Sequence, residues 1–129
     1  MPHVDAVTTL VERMGRTLQF YRLLGFDIPT AADAEGYVTI ELGNGLRFEW
    51  TTEAVEHSFN PDRRNPTIRG RTGISLRCAS TAEVDDNFHM LVNAGHAAEL
   101  EPFDAPWGSR HCRVLDPDGK PVDLFAPLP

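Results

Sequence analysis

The two halves of this chain show the same sequence patterns in the same order. This repeat limits the possible folds of the chain. In the first half, the alternating segment HVDAVTTLV is followed by a helical pattern, GRTLQFYRLLGF, in which Gly25 stands near the end. Two further alternating segments, GYVTIEL and LRFEWT, are joined across Asn44 and Gly45. Glycine after a helical pattern is typical of a helix C-terminus, and Asn-Gly between alternating segments indicates a β-hairpin. The first half is therefore predicted to fold as β-α-β-β.

The second half follows the same plan. The segment TGISLRCA has the pattern of a strand, and the S-x-x-E spacing of Ser80 and Glu83 predicts the start of a helix that ends at Gly95. The segments SRHCRVL and KPVDLFA flank the turn sequence Asp-Pro-Asp-Gly, which indicates another hairpin. Each half thus reads β-α-β-β, with room for one further short strand in the loops.

These patterns predict an α+β fold of two modules, at about residues 1–60 and 72–129, joined by a linker at about residues 57–71. A half-chain of this size is marginal alone, so we expect the modules to pack side by side or to exchange between chains. Helices on one face of each sheet would leave the other face free to curve around a ligand. The linker contains four arginines, which indicate a solvated connection or contact with an anionic ligand group: Arg63, Arg64, Arg69 and Arg71.

Size and composition exclude several function classes. The chain has 129 residues and a net charge of −7, so its field repels nucleic-acid phosphates. No apolar run approaches the roughly 20 residues that cross a bilayer, and no secretory signal precedes the first strand, so a cytoplasmic location is the expectation. Cys78 and Cys112 form no CxxC pair and are expected to be reduced, half-buried thiols.

Four motifs occur in an order and spacing that resemble a known family: FYRLLGF after the first strand, NAGH at the end of the second helix, PWGSRH, and DPDGKPVDLFAP. The chain resembles the vicinal-oxygen-chelate superfamily, which contains glyoxalase I, extradiol dioxygenases, fosfomycin-resistance enzymes and bleomycin-binding proteins. Within it, FDIP, LRFEWT, SFNP and VDLFAPLP are most similar to mitomycin-binding resistance proteins.

The resemblance implies one glyoxalase/bleomycin-resistance-like domain over residues 1–129. Its two βαβββ modules would form a curved mixed-sheet cup with the helices on the outer face. It also implies a homodimer in which modules from two chains, often swapped, complete two clefts.

Metal-dependent relatives place ligands on the first strand of a module and near the end of its last strand. By that correspondence, the first-strand positions fall on Ala6 and near Gly73, which cannot coordinate a metal, and the last-strand positions fall on Glu49 and Asp123. Two carboxylates without imidazole make a poor transition-metal site. We therefore predict no metal and no cofactor, with a weak site on the two carboxylates as the alternative.

Aromatic residues are the remaining candidates for ligand contact, since planar molecules bind well against aromatic faces. If Glu49 faces the cup, strand alternation turns Trp50 toward the core, unless a bulge redirects the Trp50 side chain. Alternation also means that only one of Arg110 and His111 faces the cup. Phe59 would lie in the linker, as a lid on the partner chain's cleft, and Trp107 at the cleft rim. The predicted ligand-binding residues are Tyr37, Glu49, Trp50, Phe59, Phe103, Trp107, Arg110, His111, Asp123 and Phe125.

The sequence thus favours a metal-independent protein that binds and sequesters a planar aromatic or quinone-type antibiotic, with no catalytic residue. Bare carboxylates in the cup would favour cationic or amine-bearing ligands. A metal-dependent lyase, isomerase or dioxygenase of the same superfamily is the alternative, as is a small-molecule sensor that dimerises and contacts another protein.

Overall fold

The repeat in the sequence is reproduced as two sheets, each with a helix against one face. The computed structural model describes residues 4–59, 61 and 73–129, and the chain divides into two units, Met1–Asn65 and Pro66–Pro129. The four linker arginines lie outside the described residues. The strands are β1 Ala6–Val11, β2 Tyr37–Leu42, β3 Leu46–Thr52, β4 Ile74–Arg77, β5 Ala98–Asp104, β6 Ser109–Leu115 and β7 Pro121–Pro127. The helices are α1 Met14–Leu23, α2 Glu53–Phe59 and α3 Thr81–Asn93, with a 3-10 helix at Thr30–Ala34.

The second unit is a βαβββ module, and its sheet has the order β4-β7-β6-β5. Strand β4 is parallel to β7, and the other pairs are antiparallel. Strand β5 is the additional strand that the loops were expected to hold. It is bulged between Ala98 and Phe103, which explains why its sequence lacks a clean alternation.

The first unit has three strands in the order β1-β3-β2, again with a parallel pair, β1 and β3, and an antiparallel hairpin. In chain order, the 3-10 helix takes the place in the first unit that β5 takes in the second, between the helix and the last two strands. Arg22 at the end of α1 holds this segment, because it donates to the carbonyls of Ile28 and Pro29 and pairs with Asp33, each at 2.7 Å. The α+β class is confirmed, with mixed sheets of three and four strands.

The predicted helix ends are also confirmed. Gly25 and Gly95 follow α1 and α3 with φ of 96° and 97°, which glycine adopts without a Cβ clash. The backbone N–H of Glu83 donates to the Ser80 hydroxyl at 3.1 Å, and the Glu83 carboxylate accepts from the N–H of Ala79 at 3.0 Å. The box therefore closes one residue earlier than the usual pattern, which uses the N–H of the N-cap itself.

Helix α2 was not predicted, and its last three residues overlap the beginning of the predicted linker at about residue 57. Thr52 caps it, since its hydroxyl accepts from the N–H of Val55 at 3.2 Å, and Phe59 is its last residue. Phe59 is 67% exposed. Within the described residues, no helix is long and apolar enough to cross a membrane.

Candidate ligand-binding site

The two faces of each sheet differ in character. In β7, Val122, Leu124 and Ala126 are buried against α3, whereas Asp123 and Phe125 point to the opposite side. In β3, Phe48 and Trp50 are buried with Tyr21 of α1, so Glu49 points away from the helix. In each unit separately, we call the side of the sheet that bears this carboxylate, Glu49 in the first unit and Asp123 in the second, the carboxylate face of that unit.

Trp50 is therefore a core residue. It is fully buried, its ring stacks on Phe48 at 4.4 Å between centroids, and it lies 5.3 Å from the ring of Tyr21. No bulge interrupts its pairing with Thr9 and Val38. Its inclusion among the ligand-binding residues is corrected by this geometry, because the indole cannot reach the carboxylate face.

His111, and not Arg110, is the member of that pair on the carboxylate face. Arg110 turns to the helix side, where its guanidinium pairs with Asp85 of α3 at 3.0 Å and with Asp104 at 3.1 Å. These hydrogen bonds, first to Asp85 and then to Asp104, raise the pKa of Arg110. Arg110 thus joins α3 to the sheet, which corrects its assignment as a ligand contact.

An aromatic corner stands at the β5–β6 end of the carboxylate face in the second unit; we give this name to Phe103, Trp107 and His111. The ring centroids are 5.7–6.1 Å apart, and the ring planes meet at 67–89°. A flat molecule that stacks on any one of the three rings therefore meets the other two edge-on, which is a favoured arrangement for aromatic contacts. Phe125 is the cross-strand neighbour of His111.

The turn that holds Trp107 is fixed by its own sequence. The N–H of Gly108 donates to the carbonyl of Ala105 at 3.0 Å, Pro106 occupies the second turn position, and Gly108 has a φ of 95°. The carbonyl of Gly108 also accepts from the N–H of Leu128 at 3.0 Å, which ties the turn to the end of the chain. Trp107 is nevertheless 66% exposed, so a large apolar ring is held in place with its surface accessible.

Asp123 is not a bare carboxylate, contrary to the expectation from sequence. Arg113 is its cross-strand partner and donates from Nε to Oδ1 at 2.6 Å and from Nη2 to Oδ2 at 3.2 Å. His111 Nε2 lies 3.3 Å from the same Oδ2. The hydrogen bonds to Asp123 raise the pKa of Arg113, and Glu99 adds a second partner at 3.2 Å.

Glu49 is engaged in the same way in the first unit. Its Oε1 lies 2.7 Å from Arg47 Nη1, and its Oε2 accepts from the Thr8 hydroxyl at 3.1 Å. Arg47 also pairs with Asp5 at 2.7 Å, and its pKa is raised by hydrogen bonds to Asp5 and then Tyr37. Each unit therefore carries a carboxylate whose two oxygens are both held, with an arginine as the main partner.

A model of the glyoxalase/bleomycin resistance protein/dioxygenase superfamily matches residues 3–124 of the chain. The chain belongs to this superfamily. No curated protein matches the chain.

Solved structures of superfamily proteins resemble the chain along almost its whole length. A family enzyme from Burkholderia phytofirmans PsJN is 13% identical with a TM-score of 0.82, and the alignment covers 96% of this chain and 98% of the other. A superfamily member from Sphaerobacter thermophilus DSM 20745 is 27% identical with a TM-score of 0.68 and 98% coverage of both chains. A protein from Nocardioides is 21% identical with a TM-score of 0.73, covering 99% of this chain and 85% of its own. The two under 25% identity support the fold alone.

The superfamily includes metal-dependent members, and within residues 4–59, 61 and 73–129 the side chains do not fit such a metal. The described residues contain no group of three or more His, Cys, Asp or Glu that could hold an ion. Each of the two carboxylates is already paired with a guanidinium, Glu49 with Arg47 and Asp123 with Arg113. At Gly73 even a Cβ would lie 2.5 Å from the carbonyl oxygen of Pro121, so a ligating side chain there would require the backbone to move.

The remaining predicted residues lie at different places. Tyr37 begins β2 and is 47% exposed, as the cross-strand neighbour of Thr51, while Phe59 ends α2. The structure brings together Phe103, Trp107, His111, Asp123 and Phe125 on one face of the second sheet. Sequence reasoning missed Arg47 and Arg113, although the i, i+2 spacing of Arg47 and Glu49 on one strand was a usable signal.

Proposed function

We propose that this protein binds a planar aromatic small molecule, without a metal, on the carboxylate face of its second unit. The observation that carries the proposal is Trp107, two-thirds exposed yet fixed edge-on to Phe103 and His111 by a tied turn. A preorganised apolar surface binds with little loss of side-chain freedom, and it is the usual element of a small-molecule site. His111 supplies a nearby polar group that would orient the ligand.

We further propose that the ligand is a quinone-type or similar aromatic antibiotic and that binding sequesters it, so that the protein confers resistance. This finer assignment rests on the resemblance of FDIP, LRFEWT and VDLFAPLP to mitomycin-binding proteins. No covalent step is required, and no residue is given a catalytic role.

Calorimetric titration with mitomycin-type, bleomycin-type and simple anthraquinone compounds tests the proposal. We expect saturable binding at micromolar or lower concentration to chelator-treated protein, and Trp107→Ala should weaken it about tenfold. Val92→Ala is the matched control, because it also removes an exposed apolar side chain in the same unit, but from α3. Absence of saturable binding to all three compound classes would contradict the proposal.

Elemental analysis separates this function from that of a metal-dependent lyase, isomerase or dioxygenase. The pairing of Glu49 with Arg47 and of Asp123 with Arg113 predicts substoichiometric zinc, nickel, manganese and iron in the purified protein. One tightly bound ion per chain, retained through dialysis against a chelator, would overturn the assignment in favour of the enzyme.

The assembly is proposed to be a homodimer, as the superfamily resemblance implies, and modules exchanged between chains are one way to form it. Light scattering after size exclusion distinguishes a 14.3 kDa monomer from a species of twice that mass. A monomer at every concentration up to that used for ligand titration would exclude a partner contribution to the site.

A further inference from the structure

On the carboxylate face of the second unit, Arg77 has donors that no described residue engages. Arg77 ends strand β4 at the edge of the sheet, is exposed, and has no hydrogen bond or ion pair with another described residue. Its register partner on β7 is Phe125, so the two side chains emerge side by side on that face. Ile74 and Leu76, which alternate with it, pair with the helix-side residues Val122 and Leu124.

The carboxylates that contact Arg113 have the opposite character. Asp123 is held by both arms of Arg113 and lies beside His111, and Glu99 is held by the remaining donor of Arg113. A cationic ligand would have to displace Arg113 from a bidentate pair, whereas the Arg77 guanidinium, which no described residue engages, can accept an anionic ligand. The expectation of a cationic ligand assumed that Glu49 and Asp123 are bare, and both are paired with an arginine.

Arg77 also lies at a suitable distance from the aromatic corner. The residues Arg77, Phe125, His111 and Phe103 are register partners across four adjacent strands, β4, β7, β6 and β5. Arg77 and His111 are two strand spacings apart, which is about 10 Å. A fused three-ring molecule placed on the corner and over Phe125 can present a substituent to Arg77.

We propose that the second unit selects planar aromatic ligands that carry an anionic group, and that Arg77 binds this group. The inference rests on the proposed function, because it takes the aromatic corner as the place where the ring system binds. The chain's charge of −7 opposes the approach of an anion, but this field is screened over about 8 Å at physiological salt. The contact with Arg77 therefore acts at short range.

A charge series on one ring system tests the inference: anthraquinone-2-carboxylate, the neutral anthraquinone-2-carboxamide and the cationic 2-(aminomethyl)anthraquinone, each titrated by calorimetry. We expect the carboxylate to bind about fivefold more tightly than the carboxamide, the size of effect that an exposed ion pair contributes, and the cation to bind most weakly. The preference for the carboxylate should decline as salt is raised.

Arg77→Gln should lower the affinity for the carboxylate to that for the carboxamide and leave the carboxamide unchanged, which also shows that the variant is folded. Arg13→Gln is the matched control, since it removes the same charge from an exposed arginine at the start of α1. Equal binding of all three compounds, tighter binding of the cation, or an equal effect of both variants would overturn this inference while leaving the aromatic site intact. Failure of all three compounds to bind would instead contradict the proposed function itself.

Discussion

Loss of Arg113 should destabilise the protein chiefly because it leaves the Asp123 carboxylate without its arginine partner at a poorly solvated position. The Asp123 side chain is 16% exposed and the Arg113 side chain 32%, so the pair lies between a surface and a buried ion pair. Surface pairs contribute about 0–1 kcal/mol, and removal of one partner from a buried pair costs about 3–5 kcal/mol. Because the pair makes two charge-assisted hydrogen bonds and is partly exposed, Arg113→Met should lower the free energy of unfolding by about 2 kcal/mol.

A double-mutant cycle isolates this interaction from the other contacts of Arg113. Asp123→Asn removes the charge that needs a partner, so adding Arg113→Met to it should cost about 1–2 kcal/mol less than in the wild-type protein. Arg113→Lys is the control, because it keeps the charge but cannot make the bidentate contact. Urea unfolding of the wild-type protein, the two single variants and the double variant gives the coupling free energy.

Additive effects of the two substitutions would contradict this prediction. A coupling free energy below about 0.3 kcal/mol would mean that Arg113 does not neutralise Asp123 in solution. Asp123 would then be available to a ligand amine, and the second unit would no longer favour an anionic ligand over a cationic one.

Three further predictions concern the core and the thiols. Gly73→Ala should destabilise the protein by about 1–3 kcal/mol in urea unfolding, because its Cβ would lie 2.5 Å from a backbone oxygen. Gly43→Ala is the control and should change the stability little, since a Cβ there has nothing within 4 Å. Equal effects of the two substitutions would contradict the close approach at Gly73. In the same assay, Trp50→Ala should lower the free energy of unfolding by about 3–5 kcal/mol, because this ring is fully buried. Trp107→Ala should lower it by less than about 1 kcal/mol, because that ring is 66% exposed. The reverse order would contradict the assignment of Trp50 to the core. Burial raises the pKa of the Cys112 thiol to about 12, so the folded protein keeps a proton that the unfolded chain loses above about pH 9. The free energy of unfolding should therefore fall more between about pH 8 and pH 10.5 for the wild-type protein than for Cys112→Ala, and parallel profiles would show that the thiol is not buried.

Local chemistry made much of the fold predictable. Gly25, Gly95, the Ser80–Glu83 pair and the hairpin at Asn44-Gly45 act through neighbours in sequence, and each lies where its pattern indicated. Alternation along β3 also correctly predicted that Glu49 lies on the other face of the sheet from Phe48 and Trp50. A strand without a bulge turns successive side chains to opposite faces.

The candidate site depended on registers that the sequence does not fix. The pairing of Arg113 with Asp123 follows from the β6–β7 register, and that of Arg77 with Phe125 follows from a parallel pair separated by a helix and two strands. The bulges in β5 obscure its alternation, so the position of Phe103 against His111 could not be read from the pattern. Helix α2 was missed because TTEAVEHSF is short, although Thr52 offers an N-cap.

Nuclear magnetic resonance can show whether an aromatic ligand binds without metal on the carboxylate face of the second unit. The two tryptophan indole N–H groups give separate signals, one from the buried Trp50 and one from the exposed Trp107. Titration of chelator-treated protein with anthraquinone-2-carboxylate should shift the Trp107 signal and the backbone amides of Phe103 and His111, and leave Trp50 in place. Shifts confined to the first unit, or binding that appears only after a divalent metal is added, would contradict the account.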